Sequence, residues 1–423
     1  MTALITRRRV LRLTGFASSQ VAVQAIGFAS GIVLVRCMEP VQYGYYTLAV
    51  TMASVATILS DLGLATAVLA IGGRLGHDRI ALGQLNADAD ALHRRLAWLA
   101  LAVVGPCAAA LLWHQQAASV QIFVLTAFVV AMAAVNVPTG VALSISRLLG
   151  RVGLQQRLDL GVNVVKLGVL SAASWLAFDA AIACLINLVA AIVYYLLLAR
   201  ALDVDVDRRA GAGEHVPAIR RHVGRLAPNA IYFVVSSQLA VWLIGIFGSA
   251  ERVAEVGALG RLAALFSLVA AVSATLVLPY FARRDAPAEL IPVFVGINLF
   301  FAGLLLVLAG AATAFPDAIL WVLGASYGGL RDELVWMVVA TTLSAWGGTI
   351  YSVGCARGWV MPIGIVASVG VVATAVAASL VDVATVRGSF MINTVTGLAA
   401  TVAAIAYFGR QLQRHARPKA ALP

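Results

Sequence analysis

Val120–Ser146 reads VQIFVLTAFVVAMAAVNVPTGVALSIS and is followed at once by Arg147-Leu148-Leu149-Gly150-Arg151. An α-helix needs about 20 apolar residues to cross a bilayer core. This stretch is longer and holds no charged side chain. Two arginines then close it, as basic residues close spans on the cytoplasmic side. Working outward from it, eleven further stretches have the same character: Leu13–Val35, Gly44–Ile71, Leu96–Trp113, Leu158–Ala177, Ala180–Ala199, Ala227–Phe247, Val256–Phe281, Leu290–Ala314, Leu334–Ala356, Val360–Val381 and Val386–Phe408. Twelve spans put both chain ends on one side.

Charge gives the orientation. Of 30 Lys and Arg residues, 24 fall on the side of the two ends. The other side holds only Arg36, Arg252, Arg331 and Arg387, and Lys166 and Arg261 lie inside spans. The positive-inside rule then predicts a multi-pass membrane protein with both termini in the cytoplasm. A mean hydropathy of +0.94 with 12% charged residues describes a solute of lipid. In a soluble protein a net charge of +11 would suggest nucleic acid. Here the basic residues sit in short loops beside span ends, where they set orientation and meet anionic lipid heads, so no nucleic-acid partner is expected.

Several patterns have a plain explanation. Cys37, Cys107, Cys184 and Cys355 lie in or at the edge of spans without CxxC spacing, which predicts neither disulfides nor a metal site. Thr6-Arg7-Arg8-Arg9-Val10-Leu11-Arg12 fits a loose twin-arginine export pattern, but no soluble domain follows it, and a basic cytoplasmic arm accounts for it. Gly324-Ala325-Ser326-Tyr327-Gly328 fits GxSxG; that chemistry needs a preceding strand and a reachable histidine, and the only histidine downstream is His415. No P-loop pattern occurs, so no nucleotide or other cofactor is expected. In the loop Gly72–Arg95, Ile80, Leu82, Leu85, Ala89 and Leu92 alternate with charge, as in an amphipathic surface helix. His77, Asp78, Asp88, Asp90 and His93 lack the fixed spacing of a ligand set and read as its solvated face.

The halves echo each other. Gly44 and Gly257, each opening a span after a short loop, are 213 residues apart, and Arg147 and Arg357, each closing one, are 210 apart. A near-constant offset suggests a six-span unit duplicated in the same orientation, an architecture of transporters with a substrate path between the halves. The expected organisation is a six-helix lobe over 1–202, a cytoplasmic linker over 203–226, a second six-helix lobe over 227–409 and a basic cytoplasmic tail over 410–423.

Arg36-Cys37-Met38-Glu39-Pro40-Val41-Gln42-Tyr43-Gly44-Tyr45-Tyr46-Thr47-Leu48, followed by Leu59-Ser60-Asp61-Leu62-Gly63-Leu64-Ala65-Thr66-Ala67, resembles the first two helices of bacterial oligosaccharide-lipid flippases of the multidrug/oligosaccharidyl-lipid/polysaccharide (MOP) superfamily. Glu255-Val256-Gly257 running into Leu278-Pro279, and Trp321 to Tyr327, are similar segments. Many members carry an acid midway along the seventh helix. Ser236-Ser237-Gln238-Leu239-Ala240-Val241-Trp242-Leu243 has none.

The intramembrane polar residues carry the chemistry. An ionisable side chain in hydrocarbon costs on the order of 3 kcal/mol, so it usually faces a wet cavity or a partner. Asp61, Lys166 and Arg261 stand well inside spans, Lys166 roughly 12 Å from the cytoplasmic end of its helix. Snorkelling to a headgroup is the bland account of the two bases, and a helix cap before Gly63 or a pair with Lys166 that of the acid. Gln20, Gln24, Asn136, Asn163, Asn187, Asn229, Gln238, Asn298 and Asn393 add amides, Asn163 sharing a face with Lys166. Such amides also glue helices together.

The sequence therefore predicts an all-α polytopic membrane protein of about twelve transmembrane helices, two six-helix lobes around a central cavity. The resemblance implies a transporter of the bacterial inner membrane, not an enzyme, that flips polyprenyl-diphosphate-linked oligosaccharide for cell-surface polysaccharide such as O-antigen or exopolysaccharide. Lys166 and Arg261 would meet phosphate. Asn163, Gln20, Gln24, Asn136, Asn229 and Gln238 would meet sugar hydroxyls, and Asp61 would pair with Lys166 or couple an ion. Partners to expect are the lipid-linked substrate, membrane lipids, and polysaccharide polymerase and chain-length proteins. The alternatives are a cation-coupled multidrug exporter on the same scaffold and a membrane-embedded polysaccharide polymerase or ligase.

Overall fold

The computed structural model describes residues 21–75, 78–175, 178–202, 213–266, 287–356 and 359–416. The basic arm, Gln20, His77, Leu278-Pro279 and Arg357 lie outside the described residues. Within these the chain is all-α. It forms two compact units, Met1–Gln238 and Leu239–Pro423.

The first unit opens with α1 (Val21–Cys37) and α2 (Pro40–Asp61), whose first turn carries Pro40, where the missing N–H costs nothing. α2 stops because Leu62 (φ 42°) and Gly63 (φ 86°) turn into the left-handed region. A Cβ on Gly63 would also press on Leu226 at 2.8 Å. α3 (Leu64–Leu75) resumes the climb, followed by α4 (Arg79–His114), α5 (Ser119–Leu148), α6 (Val152–Ala173), α7 (Ala180–Leu202) and α8 (Val216–Phe247). The unit boundary falls within α8. The second unit continues with α9 (Ala250–Ala263), α10 (Pro287–Ala314), the short α11 (Pro316–Trp321), α12 (Arg331–Ala356), α13 (Ile363–Leu380) and α14 (Val386–Ala416).

Among the described residues, nine helical segments are long and apolar enough to cross a membrane, α2 and α3 counting as one. α1 is a shorter apolar helix, α6 corresponds to the expected fifth span, and α9 covers the start of the eighth. Trp98, Phe123, Leu306 and Leu380 are each more than 70% exposed. That is tolerable only where the surrounding solvent is lipid. Trp113, Trp175 and Trp321 stand exposed near helix ends, the level at which indole rings meet headgroups. Ser30, Ser54, Thr57 and Ser60 each donate to the carbonyl four residues back, satisfying their hydroxyls without leaving the helix.

Several helix pairs of the first unit have counterparts in the second. α2 packs on α5 and α7, and α9 on α12 and α14. The pairs α4/α5, α5/α7 and α6/α7 answer to α10/α12, α12/α14 and α13/α14. Close approach of α12 and α14 depends on small residues: Gly354 lies against the Phe408 ring, Gly347 against Thr401, and the Thr401 hydroxyl donates to Leu343 O at 3.0 Å.

One expectation is corrected. Arg79 to Arg95 is not a separate surface helix but the first turns of α4, which continues unbroken into its span. Leu85, Ala89 and Leu92 are buried in a cluster with α3, α5 and α8, and Leu82 is buried too, while Ile80 is exposed. Nor is the polar face solvated throughout, since Asp88 and His93 are buried. Protein, not lipid, covers the apolar stripe. Gly324-Ala325-Ser326-Tyr327-Gly328 is a 3₁₀ turn between α11 and α12, with no strand before Ser326.

Candidate functional site

α6 brings the predicted cationic residue into a polar constellation. Asp159, Asn163 and Lys166 follow one another at helical spacing along one face. The Asn163 amide donates to the Asp159 carbonyl at 2.8 Å and to its carboxylate at 2.9 Å. Asp159 in turn feels the charge of Lys166. Asp159 escaped the sequence reading because it stands one residue inside the expected span edge. Its spacing of four and seven to Asn163 and Lys166 was the available signal.

Beside this face is a cavity of about 500 Å³. α6 lines it with Arg157, Leu158, Gly161, Val162, Val165, Lys166 and Val169, and α7 with Leu185, Ile186, Val189, Ala190, Val193 and Leu197. Its wall is thus apolar apart from two cations. By the helix rise Arg157 and Lys166 are about 13–14 Å apart along the axis, and both have long flexible stems.

Other predicted residues are placed elsewhere. Asp61 accepts the backbone N–H of Gly63 and of Ala65, each at 3.0 Å, capping α3 across the break. Asn136 donates to the Thr57 hydroxyl at 3.3 Å and so ties α5 to α2. Asn187 reaches Tyr46 and Asn298 accepts from the Trp346 indole, joining α7 to α2 and α10 to α12. Gln24 is half-buried on α1, and Asn229 is exposed on α8. Gln238 donates to Ser237 at 3.4 Å. Arg261 sits half-buried in the last turn of α9, where a cation opposes the helix dipole favourably. Thus Asn163 and Lys166 converge on α6, and Asp61 and Asn136 serve helix ends and helix pairs. Gln42, missed as a polar anchor, accepts from Gln121 at 3.1 Å and from the Ala180 N–H at 3.4 Å, tying α2 to α5 and to the start of α7. Outside the spans, burial and then the charge of Glu333 push the Glu255 carboxyl above its ordinary range, with Arg252 opposing. No three of His, Cys, Asp and Glu converge on a metal geometry among the described residues.

Solved structures share this architecture over nearly the whole chain. A multidrug resistance MATE family transporter of the MOP superfamily, inward-facing, matches with a TM-score of 0.70 at 16% identity, over 96% of this chain and 100% of that one. The lipid II flippase MurJ in an inward closed conformation gives 0.75 at 7% identity, over 95% and 89%. A eukaryotic MATE transporter gives 0.60 at 15%, over 97% and 98%. The fold is theirs. The sequence itself matches no protein-family model and no curated protein.

Proposed function

We propose that this protein is a transporter that moves a polyprenyl-diphosphate-linked oligosaccharide from the cytoplasmic to the outer leaflet, for assembly of cell-surface polysaccharide. The observation that carries this reading is the constellation on α6. A basic residue inside a membrane helix, with an amide beside it and a second base on the same apolar wall, suits a cargo with anionic phosphates and a long apolar chain. Likeness to a lipid II flippase is in keeping with it. On this reading Lys166 and Arg261 meet phosphate, cytoplasmic termini follow from the basic loops, and polymerase and chain-length proteins act next.

A cation-coupled multidrug exporter is the second reading, favoured by the fold shared with MATE transporters. Against it, the one acid read well inside a span, Asp61, has both carboxylate oxygens engaged by backbone amides. The deciding experiment places Lys166→Ala and Arg261→Ala in cells lacking the native copy. Lipid-linked sugar is expected to accumulate on the cytoplasmic leaflet while surface polysaccharide falls, at normal protein level. Unchanged export in both variants would overturn the reading.

A further inference from the structure

α8 is longer than a span needs. Its 32 residues extend about 48 Å at the helix rise, against a hydrocarbon core of about 30 Å. Its last turns, Ala240 to Phe247, carry no charge, so the surplus falls at the start, over roughly the first 12 residues. These turns are two-sided. Ile219 and Val223 are buried in a cluster with α3, α4 and α5. Pro217, Arg220, Arg221, Gly224, Arg225 and Pro228 are all exposed.

The exposed side is a basic patch around a glycine. At about 100° per residue, Arg220, Arg221 and Arg225 fall within an arc of about 140°, with Gly224 between them. A Cβ on Gly224 would meet nothing within 4 Å, so the middle of the arc is open backbone. Pro228 has no N–H to return to the Gly224 carbonyl, which lacks its helical donor. Among the described residues, none of the three arginines forms an ion pair or a hydrogen bond. Glu214 is exposed just before the helix, and the oxygens of Asp88 are taken by the Gly213 and His215 N–H groups. Like charges four residues apart on a helix repel. Three neighbouring arginines without an acid therefore call for an anion from outside the chain.

Depth says which anion. Arg225 stands two residues and Arg220 seven before the expected span edge at Ala227, about 3 and 10 Å along the axis. Side chains of a helix lean toward its N-terminus, here away from the hydrocarbon. The headgroup layer beside the core is about 5–8 Å thick, so the patch lies at the level of lipid phosphates. A zwitterionic head brings its own cation to its phosphate. An anionic phospholipid offers an uncompensated one, which guanidinium forks bind well.

We propose that the first turns of α8 are a binding site for the phosphate of an anionic phospholipid, held by Arg220, Arg221 and Arg225 over the bare backbone at Gly224. Asp88 grips the entry to α8 from the protein side, and the lipid grips it from the membrane side. The site is independent of what the protein carries.

The test uses the full-length protein in detergent, with dioleoyl phosphatidylglycerol as probe and dioleoyl phosphatidylcholine, which has the same chains, as comparator. Native mass spectrometry reads binding and thermal unfolding reads stability. Phosphatidylglycerol is expected to bind at least about 10-fold more tightly and to raise the melting temperature. Each single Arg→Gln change at 220, 221 or 225 should weaken binding about 5-fold, the share of one basic residue at a charged surface. The triple variant should lose both effects. Gly224→Leu adds bulk without clash or change of charge and should also weaken binding. Arg74→Gln, Arg200→Gln and Arg410→Gln together remove the same charge from the ends of α3, α7 and α14, and should leave binding unchanged. Equal loss in that control, or no effect of Gly224→Leu, would overturn the site in favour of diffuse charge. Equal binding of phosphatidylcholine, or full binding by the triple variant, would overturn it too. Displacement by millimolar inorganic phosphate would assign the patch to a soluble anion instead.

Discussion

The buried carboxylate of Asp88, on α4, accepts the backbone N–H of His215 at 2.9 Å, just before the first turn of α8. Its other oxygen takes the Gly213 N–H at the same distance. Donors at a helix start have no partner of their own within the helix, so a side chain from the early turns of α4 serves the start of α8. Asp88→Ala is expected to destabilise the protein by about 2–3 kcal/mol, the scale of buried donors left unsatisfied. Asp88→Asn should cost less. Thermal unfolding in detergent measures both, and an Ala variant as stable as wild type would show that water replaces the carboxylate.

Gly354 and Phe408 make a second stability prediction. A Cβ at Gly354 would run into the Phe408 ring. Gly354→Ala should therefore cost about 1–3 kcal/mol by overpacking, and Phe408→Leu in the same chain should recover part of it. The sign of the coupling in the double-mutant cycle decides. Additive losses would mean that the helices separate without involving the ring.

Lys166 separates function from mere tolerance. For a loosely held phosphate, charge counts more than shape, so Lys166→Arg should keep more polysaccharide export than Lys166→Gln. Snorkelling alone predicts the reverse, with Gln and Ala nearly silent. Asp159→Asn removes the compensating charge near a base in lipid, and should lower protein accumulation several-fold. Adding Lys166→Gln to it should restore the level, by immunoblot of the membrane fraction.

Asp61 has a cap to keep. Asp61→Ala is expected to cost about 0.5–2 kcal/mol through the start of α3, and Asp61→Asn much less, because both residues cap well. Export by the Asn variant is the informative number. Its loss in a stable protein assigns the carboxylate to ion coupling, and its retention leaves Asp61 with the helix.

Hydropathy revealed the membrane helices because transfer to lipid acts on every residue of a span alike. The break between α2 and α3 was visible as Asp61 before Leu62-Gly63, a carboxylate beside a residue free to take positive φ. The reach of α4 was not. Its early stripe of Leu82, Leu85 and Leu92 has the period of a helix lying on a membrane, and burial by protein leaves the same period. Only the partners, Ile219 and Val223 of α8 among them, tell the two apart. The polar residues divide for a similar reason. Asn136 and Asn163 look alike in sequence, yet one bonds to another helix and the other to its own.

The charges on α6 also bear on how the protein is made. With Arg157, Asp159 and Lys166 in place, this helix does not qualify by composition as a lone membrane segment, whereas α7 is among the most apolar in the chain. Each charge near a helix centre disfavours insertion by about 2.5–3.5 kcal/mol on the translocon scale. α6 is therefore expected to enter together with α7, as a hairpin. A nascent chain released after Ala173 should leave α6 outside the bilayer, and one released after Leu202 should carry it in; protease protection distinguishes them. The two helices that line the cavity would then be partners from the first seconds of their synthesis.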